Sequence, residues 1–437
     1  MRRADAPETL ESYIMSEFNL HEYCLDVAKR AKKASRALAA TPGAQKIAWL
    51  ELCAKEILNR KEEILAENQK DVAAAREANL KPAMIDRLTL SEKTLGEMSK
   101  ALREIAAWPE PIGAVIESTV RPNGFTVQKV RAPIGVVFFT YESRPNVTTD
   151  AAAICIKSGN AVVLRGGKEA LNSNLILGRI IKDAAKLAGA PDDAVQLLDI
   201  TDRDAVDEFL HLPEYIDVAI PRGGSSLVTR VAREARMPVI KHFAGNCHVY
   251  IDQYADLDIA EKVLVNSKCQ RLGTCNTAES LVVHSAIARQ AIPRLFKALA
   301  EKGVEIRGDE ASRALSPDVD VILAAEDDYY EEYLAAIISV KVVDSVEQAI
   351  EHINEHSSGH TESIVSKDFA AIQKFTAEID SAAVMVNSST RLHDGGQFGL
   401  GAEIGISTDK FHVRGPCGVD GLTSYKYVVY GDGAVRE

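Results

Sequence analysis

The residue with the clearest chemical potential is Cys275, which lies in the run QRLGTCNTAES (270–280). A Gly-Thr pair precedes this cysteine, and a strand-like run, AESLVVH, contains the residues that follow. A thiol at the junction of a loop and a strand can reach a substrate, and its thiolate can attack a carbonyl carbon. A cysteine is, however, more often a small buried apolar side chain than a nucleophile. Residue type and position alone leave both roles open for Cys275.

Two other patterns resemble functional sites but favour ordinary structure. His352, His356 and His360 recur at every fourth position, which could suggest a metal site, yet Ser-Ser-Gly interrupts the predicted helix before the third histidine. We therefore expect a helix end with solvated histidines and no metal. The run GLGAEIG (399–405) has glycines spaced like a dinucleotide fingerprint, but no βαβ unit with a ribose acid follows it. We expect a C-terminal loop near the active site there.

The elements that must position Cys275 follow from the apolar periodicity. Residues 20–108 carry apolar side chains at three- and four-residue steps, which predicts a layer of helices. Two β-prone runs then flank a Pro-Asn-Gly turn at 122–124, which predicts a hairpin of the kind that often pairs with a partner chain. From Pro133 onward short apolar runs alternate with helical stretches, and a second such series begins near Val249. This alternation predicts two doubly wound α/β domains built on parallel sheets.

Composition and charge narrow the class of protein. The 437 residues are 46% hydrophobic and 26% charged, which is the balance of a globular protein of two or three domains. Because 51 Lys and Arg face 63 Asp and Glu, the net charge of -12 argues against a nucleic-acid binder. Seven scattered cysteines without C-x-x-C spacing indicate a reducing compartment, and we find neither a signal peptide nor an apolar run that could cross a bilayer. We expect a cytoplasmic protein that binds neither nucleic acid nor a membrane.

Several segments resemble, in chain order, the aldehyde dehydrogenase superfamily. The run around Cys275 resembles its nucleophile segment, in which a cysteine follows a Gly-Gln or Gly-Thr turn. NAVVLRGGKEA (from Asn160) resembles its ribose-binding strand and loop, IPRGGSSLV (from Ile220) its pyrophosphate turn, and EEYLAAIISVKVV (from Glu331) its Glu-Glu-Ile-Phe-Gly-Pro segment. Within the superfamily the chain is similar to the gamma-glutamyl phosphate reductases over about residues 19–431. The segments that carry this narrower resemblance are YESRPNVT, KHFAGNCHVYID, SGHTE and FGLGAEIGISTDKFHVRGPCGVDGLTSYKY.

The resemblance implies an α/β, aldehyde dehydrogenase-like fold with two doubly wound α/β domains plus a β-hairpin oligomerisation element. We expect residues 19–111 and 132–248 to form the dinucleotide-binding domain, with a returning segment near 374–394. Residues 249–373 would form the catalytic domain, and 112–131 with 395–437 the oligomerisation hairpin and C-terminal segment. These boundaries carry errors of several residues. The active site should lie in the cleft between the two larger domains, in a homo-oligomer that is a dimer or a tetramer.

The resemblance also implies the chemistry. Cys275 would attack the γ-carbonyl of L-glutamyl 5-phosphate and expel phosphate, and NADPH would reduce the thioester to L-glutamate 5-semialdehyde, the second step of proline biosynthesis from glutamate. Asn146, at the position of the superfamily's oxyanion asparagine, would stabilise the negative oxygen together with the backbone N–H of Cys275; a helix cap is equally compatible with an Asn after Pro. Hydrolytic dehydrogenases carry a glutamate in the segment that corresponds to KHFAGNCH, and this chain has none there. That departure suits a reductase, which must not hydrolyse its thioester.

The cofactor that the resemblance implies is NADPH. NAD-preferring members carry an acidic residue three positions after a lysine in the ribose loop, whereas this loop reads Arg-Gly-Gly-Lys. Two cations would attract a 2'-phosphate, although a solvated surface loop is the alternative. Small residues with free N–H groups at a helix start suit a pyrophosphate, and a glutamate would hold the nicotinamide ribose. The expected cofactor-binding residues are Arg165, Gly166, Lys168, Gly223, Ser225, Ser226 and Glu332.

Substrate and partners are less strongly indicated. Arg144 and Arg271 flank the oxyanion and nucleophile segments, where they would neutralise the acyl phosphate or the α-carboxylate, or else form structural ion pairs. A glutamate 5-kinase that passes on the labile acyl phosphate is a candidate partner. Two alternatives remain for the function: an acylating member of the superfamily that uses coenzyme A instead of phosphate, and a catalytically silent scaffold that binds partners or nucleotide.

Overall fold

The computed structural model of the protein describes residues 18–436. The N-terminal stretch on which the expectation of a cytoplasmic protein partly rests lies outside these residues. The chain begins as a layer of helices, as predicted, and two of their starts are capped by side chains: Asn19 accepts a hydrogen bond from Glu22 N and Ser91 from Thr94 N. The helices are α1 (Leu20–Ala39), α2 (Gly43–Asn59), α3 (Lys61–Glu77), α4 (Pro82–Leu88) and α5 (Glu92–Ala107).

The predicted hairpin is present and is completed by the other end of the chain. Strands β1 (Val115–Val120) and β2 (Thr126–Pro133) are antiparallel around a turn that includes Gly124, whose φ of 90° favours glycine. The last strand of the chain, labelled β16 in the order used below, runs from Thr423 to Tyr430 and pairs antiparallel with β2 over its full length. β1 is exposed throughout, and β16 exposes Tyr427, Val429 and Tyr430. This three-stranded sheet stands apart from the two parallel sheets described next.

The first parallel sheet has the strand order β5-β4-β3-β6. Because β4 and β6 lie on opposite sides of β3, the strand order reverses there, and such a switch point is where open α/β sheets bind ligands. The strands are near-continuous apolar runs because helices cover both faces. The elements are β3 (Val136–Tyr141), β4 (Ala161–Arg165), β5 (Val195–Leu197), β6 (Val218–Arg222), α6 (Asn146–Lys157), α7 (Leu171–Ala188), α8 (Asp204–Leu210) and α9 (Ser225–Glu234).

The second sheet is parallel and has seven strands in the order β10-β9-β11-β8-β7-β12-β13. Its strands are β7 (Cys247–Ile251), β8 (Ala278–His284), β9 (Glu305–Gly308), β10 (Val321–Leu323), β11 (Ile337–Val343), β12 (Thr361–Val365) and β13 (Ala383–Val386). Its helices are α10 (Leu257–Cys269), α11 (Ser285–Ala300), α12 (Glu310–Ala314), α13 (Val346–His356) and α14 (Phe369–Glu378). A short antiparallel pair, β14 (Ile406–Ser407) and β15 (Gly415–Pro416), precedes β16. The predicted fold class, with two α/β units and a hairpin, is confirmed.

One expected segment belongs elsewhere. Residues 374–394 do not return to the first domain, because β13 pairs parallel with β12 and extends the second sheet. A strand that follows a crossover helix most readily joins the same sheet. The return to the first domain comes later: Ile404, Val413 and Leu422 are buried in the same apolar core as the first sheet. Part of the expected oligomerisation segment 395–437 therefore packs against the unit that contains the first sheet.

The three spaced histidines are buried and not solvated as expected. His352 and His356 lie on the packed side of α13, and His360 is fully buried at the start of β12. Burial lowers the pKa of His352 to about 3, so this imidazole is neutral. Nδ1 of His356 is hydrogen-bonded to the backbone oxygen of His352 at 2.8 Å. The polar residue type had suggested exposure, but the helix presents this side to the core.

Candidate active site

Cys275 lies in a turn that ends two residues before β8, so the predicted loop-to-strand junction is present. The turn is held by its own hydroxyl groups. Thr277 donates its Oγ1–H to the backbone oxygen of Arg271 at 2.7 Å, and the hydroxyl groups of Thr274 and Thr277 are 2.9 Å apart. These hydrogen bonds hold together the backbone on both sides of Cys275.

Two side chains from other segments also hold the backbone of the turn that contains Cys275. The thiol of Cys247 donates to the backbone oxygen of Cys275 at 3.2 Å, and Thr390 donates to the backbone oxygen of Asn276 at 2.7 Å. Gly245 passes so close that an added Cβ would lie 1.9 Å from the Cys275 carbonyl oxygen. Only glycine fits at position 245, and it brings the segment 241–246 directly against the backbone of Cys275.

The titration of Cys275 reflects its surroundings. Burial raises the pKa of this thiol to about 11, the guanidinium of Arg222 lowers it, and the carboxylates of Glu403 and Glu332 raise it. The thiol is therefore protonated at neutral pH in this state of the protein. Burial raises the pKa of Cys53 and Cys417 further, to about 12.

A cluster of arginines lies beside Cys275. Partial burial lowers the pKa of Arg144 to about 10, and the charges of Arg222, Arg87 and Arg271 lower it further. Burial also lowers the pKa of Arg391, with the Cys275 thiolate acting in the opposite sense and Arg271 in the same sense. Arg144 and Arg271, the expected pair, therefore lie in one cluster with Arg222, whose charge acts on the Cys275 thiol. We refer to Arg87, Arg144, Arg222, Arg271 and Arg391 as the arginine group.

Three members of the arginine group were missed by sequence reasoning. Arg222 is the last residue of β6, and its Nη1 donates to the backbone oxygen of Ile404 at 2.8 Å. Its position at the carboxyl end of a strand beside the switch point was a usable signal. Arg87 comes from α4, with Nη2 3.8 Å from where a Cβ on Gly273 would lie, and no local pattern indicates that approach.

Asn146 is the first residue of α6 and follows a strained turn. Ser143 has a φ of 46°, in the left-handed region, and both its N–H and its hydroxyl donate to Glu169 Oε1. The Asn146 side chain does not cap the helix; its Nδ2 donates to Asp150 Oδ2 at 3.0 Å. Desolvation raises the pKa of Asp150 to about 6, opposed by that hydrogen bond and by Arg222. Asn146 is therefore oriented by a carboxylate close to the arginine group.

A cavity of about 810 Å³ opens beside the carboxyl ends of the first sheet. Three expected cofactor residues, Arg165, Lys168 and Ser226, line this cavity. Gly166 and Gly223 make room for packing: an added Cβ would lie 2.2 Å from Asn174 Nδ2 and 2.7 Å from the Glu142 carboxylate, respectively. A dinucleotide needs a cleft of this size with polar groups at its rim.

More cationic side chains line this cavity than the sequence indicated. Burial lowers the pKa of Arg165, and the charges of Arg203 and Arg230, which also line the cavity, lower it further. The guanidinium of Arg165 donates to the backbone oxygens of Thr201 and Asp202, which fixes it in place. These contacts with residues after β5 argue against a freely solvated loop at Arg165.

The expected pyrophosphate position is partly filled by a carboxylate. α9 begins at Ser225, and Gly224 N donates to Glu142 Oε2 at 3.0 Å. A helix start attracts anions, and here the anion is a side chain of the protein. Glu142, which sequence reasoning missed, must move for a phosphate to bind at Gly224.

Glu332 reaches the nucleophile segment. Its Oε1 accepts a hydrogen bond from Gly245 N at 2.8 Å, and burial raises its pKa. Gly245 in turn contacts the Cys275 carbonyl, so Glu332 is linked to Cys275 through a single residue.

Within residues 18–436 no group of three or more His, Cys, Asp or Glu could hold a metal ion, and no helix has the length and hydropathy to span a membrane.

Comparison with known proteins identifies the class to which this site belongs. The model of the aldehyde dehydrogenase family matches residues 21–321 and 321–403. The chain therefore belongs to the aldehyde dehydrogenase family, and it is an oxidoreductase.

The relatives that it matches over their full lengths have a narrower name. A gamma-glutamyl phosphate reductase from Rhodopirellula baltica is 51% identical over 436 residues, which is 100% of each chain. One from Carboxydothermus hydrogenoformans is 49% identical over 94% of this chain and 99% of its own. The crystal structure of the gamma-glutamyl phosphate reductase from Thermotoga maritima has a TM-score of 0.93 and 45% identity, covering 95% of this chain and 100% of its own. The predicted resemblance to gamma-glutamyl phosphate reductases is confirmed.

Proposed function

We propose that the protein reduces L-glutamyl 5-phosphate to L-glutamate 5-semialdehyde and phosphate with NADPH, the second step of proline biosynthesis from glutamate. The relatives' names give the substrate class. The observation that carries the proposal is the arginine group beside Cys275, because an acyl phosphate brings a dianionic leaving group and an α-carboxylate to the nucleophile.

The first step is the attack of the Cys275 sulfur on the γ-carbonyl carbon. The C–S bond forms, the C–O bond to phosphate breaks, and phosphate leaves with the electron pair. Arg222 favours the thiolate, and the arginine group draws the phosphate to it. Arg144 and Arg271, with Arg391, are suited to hold the phosphate or the α-carboxylate.

The second step reduces the thioester. NADPH, once held in the cavity beside the first sheet, would supply the hydride that the thioester carbon accepts. The negative oxygen that develops is stabilised by the backbone N–H of Cys275 and by Asn146, whose amide has a second N–H besides the one donated to Asp150. The C–S bond then breaks, the aldehyde is released, and the thiol recovers its proton.

Hydrolysis of the thioester is disfavoured by the segment 241–246. This segment has no glutamate to activate water, and the Gly245 backbone fills the space against Cys275. A thioester protected from water is needed if the energy of the acyl phosphate is to reach the reduction step.

The cofactor site follows the cavity beside the first sheet. Arg165 with Arg203 and Arg230 supports a 2'-phosphate, with Lys168 at the rim and Gly166 allowing the loop to pack. Ser226 lines the cavity, Gly223, Ser225 and the helix start would hold the pyrophosphate once Glu142 moves, and Glu332 would hold the nicotinamide ribose.

We further propose a homo-oligomer that joins through the three-stranded sheet, because β1 and β16 expose apolar side chains there. The seven cysteines are free, which suits a reducing compartment such as the cytoplasm. The candidate partner is a glutamate 5-kinase, which would pass on the labile acyl phosphate.

The test is NADP reduction with L-glutamate 5-semialdehyde, with and without phosphate, in the wild type, Cys275→Ala and Cys269→Ala. Cys269 is half-buried and six residues away, so it is a matched control. We expect phosphate-dependent reduction that Cys275→Ala abolishes and Cys269→Ala retains. Activity with coenzyme A instead of phosphate would favour the acylating alternative, activity without phosphate a hydrolytic dehydrogenase, and cofactor binding without turnover the scaffold.

A further inference from the structure

A buried ion pair lies next to the nucleophile turn but outside the machinery described above. Lys268 on α10 and Glu279 on β8 form this pair, and both side chains have no exposed surface. Fully buried lysine and glutamate are rare, and burying both charges gives up their hydration. Glu279 follows Cys275 by four residues. Because burial of these two charges costs free energy, we expect a role that two apolar side chains could not perform.

The second contact of Glu279 suggests that role. Its Oε1 accepts a hydrogen bond from Leu334 N at 3.3 Å, while Oε2 faces Lys268. Leu334 has a φ of 49°, in the left-handed region that a leucine rarely adopts. Residues 331–335 have no helix or strand, so few backbone contacts hold this conformation. Glu279 therefore stabilises a strained point in an otherwise irregular loop.

The same loop carries Glu332, two residues before Leu334. Oε1 of Glu332 accepts from Gly245 N, and Gly245 lies against the Cys275 carbonyl. A continuous path of contacts thus runs from Lys268 through Glu279, the loop and Gly245 to the nucleophile. The position of the Glu332 carboxylate depends on the loop conformation that Glu279 holds.

We propose that Glu279 is a positioning residue that fixes the loop 331–335 and thereby places Glu332 for the nicotinamide ribose, while Lys268 balances the buried charge of Glu279. Lys268 provides the positive charge without which the Glu279 carboxylate would be buried and unpaired. Without that acceptor the Leu334 strain is relieved by movement of the loop, and Glu332 is no longer held in place. The inference rests on the proposed function for the identity of the cofactor, but not for the state of the loop.

The test compares two double variants, Lys268→Met/Glu279→Gln and Lys268→Met/Glu279→Leu. Each removes both charges, because changing one partner alone would leave the other charge buried and unpaired. Glutamine keeps a carbonyl oxygen that can accept from Leu334 N, whereas leucine has nearly the same size and no acceptor. Any difference between the two variants then reports on the hydrogen bond to the loop.

Three readouts are measured: the KM for NADPH, amide hydrogen exchange of the peptide that spans 331–335, and the rate of alkylation of Cys275. We expect the leucine variant to raise the KM about tenfold and to speed exchange of the loop about tenfold, with the alkylation rate within twofold of the wild type. The glutamine variant should stay within about threefold of the wild type in all three.

Several results would overturn the inference. Equal KM values in the two variants, or equal exchange of the loop, would show that the hydrogen bond does not position it. A leucine variant that unfolds where the glutamine variant folds would assign Glu279 to stability alone. A wild type without NADPH turnover would instead refute the proposed function, and the exchange measurement would still decide whether Glu279 holds the loop.

Discussion

The reactivity of Cys275 should be low near neutral pH and should depend on Arg222. With a pKa of about 11, roughly 0.1% of the thiol is ionised at pH 8, against about a quarter of an ordinary cysteine. The thiolate of higher pKa is intrinsically more nucleophilic, by about tenfold for this difference. Alkylation by iodoacetamide at pH 8 should therefore be roughly 20-fold slower than that of a cysteine peptide, and should rise with pH up to about 11.

The contribution of Arg222 can be isolated in the same assay. Arg222→Met removes the cation that lowers the Cys275 pKa, so the pKa should rise and alkylation at pH 8 should slow severalfold, even after the gain in nucleophilicity. Arg222→Lys keeps a positive charge and should stay within about twofold of the wild type. The assay is peptide mapping of Cys275 labelling against time between pH 7 and 10. A rate that levels off below pH 9, or equal rates in Arg222→Met and the wild type, would refute this reasoning.

Three further predictions concern other parts of the site. Gly245→Ala should lower turnover at least about 100-fold, because the methyl group would collide with the Cys275 carbonyl. The control is Gly96→Ala, in open space on α5, which should keep full activity and gain about 1 kcal/mol of stability. Normal turnover of Gly245→Ala would contradict the close contact. Burial raises the pKa of Asp150 to about 6, so the folded protein favours its protonated form. This contribution to stability is complete below pH 4 and is lost as the pH rises through about 6. Asp150→Asn should therefore raise the free energy of unfolding by about 1–3 kcal/mol at pH 7.5 and not at pH 4, in thermal melts at both pH values; a gain that is the same at both would count against it. Arg203→Ala should weaken NADPH binding about tenfold and leave NADH binding within about twofold, measured by titration of cofactor fluorescence, with Arg179→Ala on α7 as the control; an equal loss for both cofactors would remove Arg203 from the 2'-phosphate site.

The features that could be predicted from the sequence are those that local pattern determines. Helical periodicity gave the layer of α1 to α5, the Pro-Asn-Gly turn gave the hairpin, and the alternation of apolar and helical runs gave the two parallel sheets. The positions of Cys275, in the turn before β8, and of Asn146, in the segment after β3, could be predicted because each lies close to a strand; their catalytic roles stay predictions. Local chemistry and local structure agree at these positions.

The features that could not be predicted depend on contacts between segments that are far apart in the sequence. Arg87 approaches Gly273 from a different unit, and Glu142 reaches Gly224 across the switch point, so neither has a signal in its own neighbourhood. The burial of His352 depends on which side of α13 meets the sheet. Residues 374–394 were misplaced because the sheet that a strand joins depends on packing that the strand's own residues do not specify.

Because β2 pairs with β16, the three-stranded sheet can be completed only at the end of synthesis. These strands are separated by about 290 residues, so at roughly 5–20 residues per second a nascent chain presents an incomplete sheet for about 15–60 s before β16 leaves the ribosome. The surface that we propose for assembly is therefore finished last, after both parallel sheets have been translated. In the proposed oligomer, subunits would join only after β16 has been made, and a chain cut short before Thr423 would lack one strand of the assembly surface.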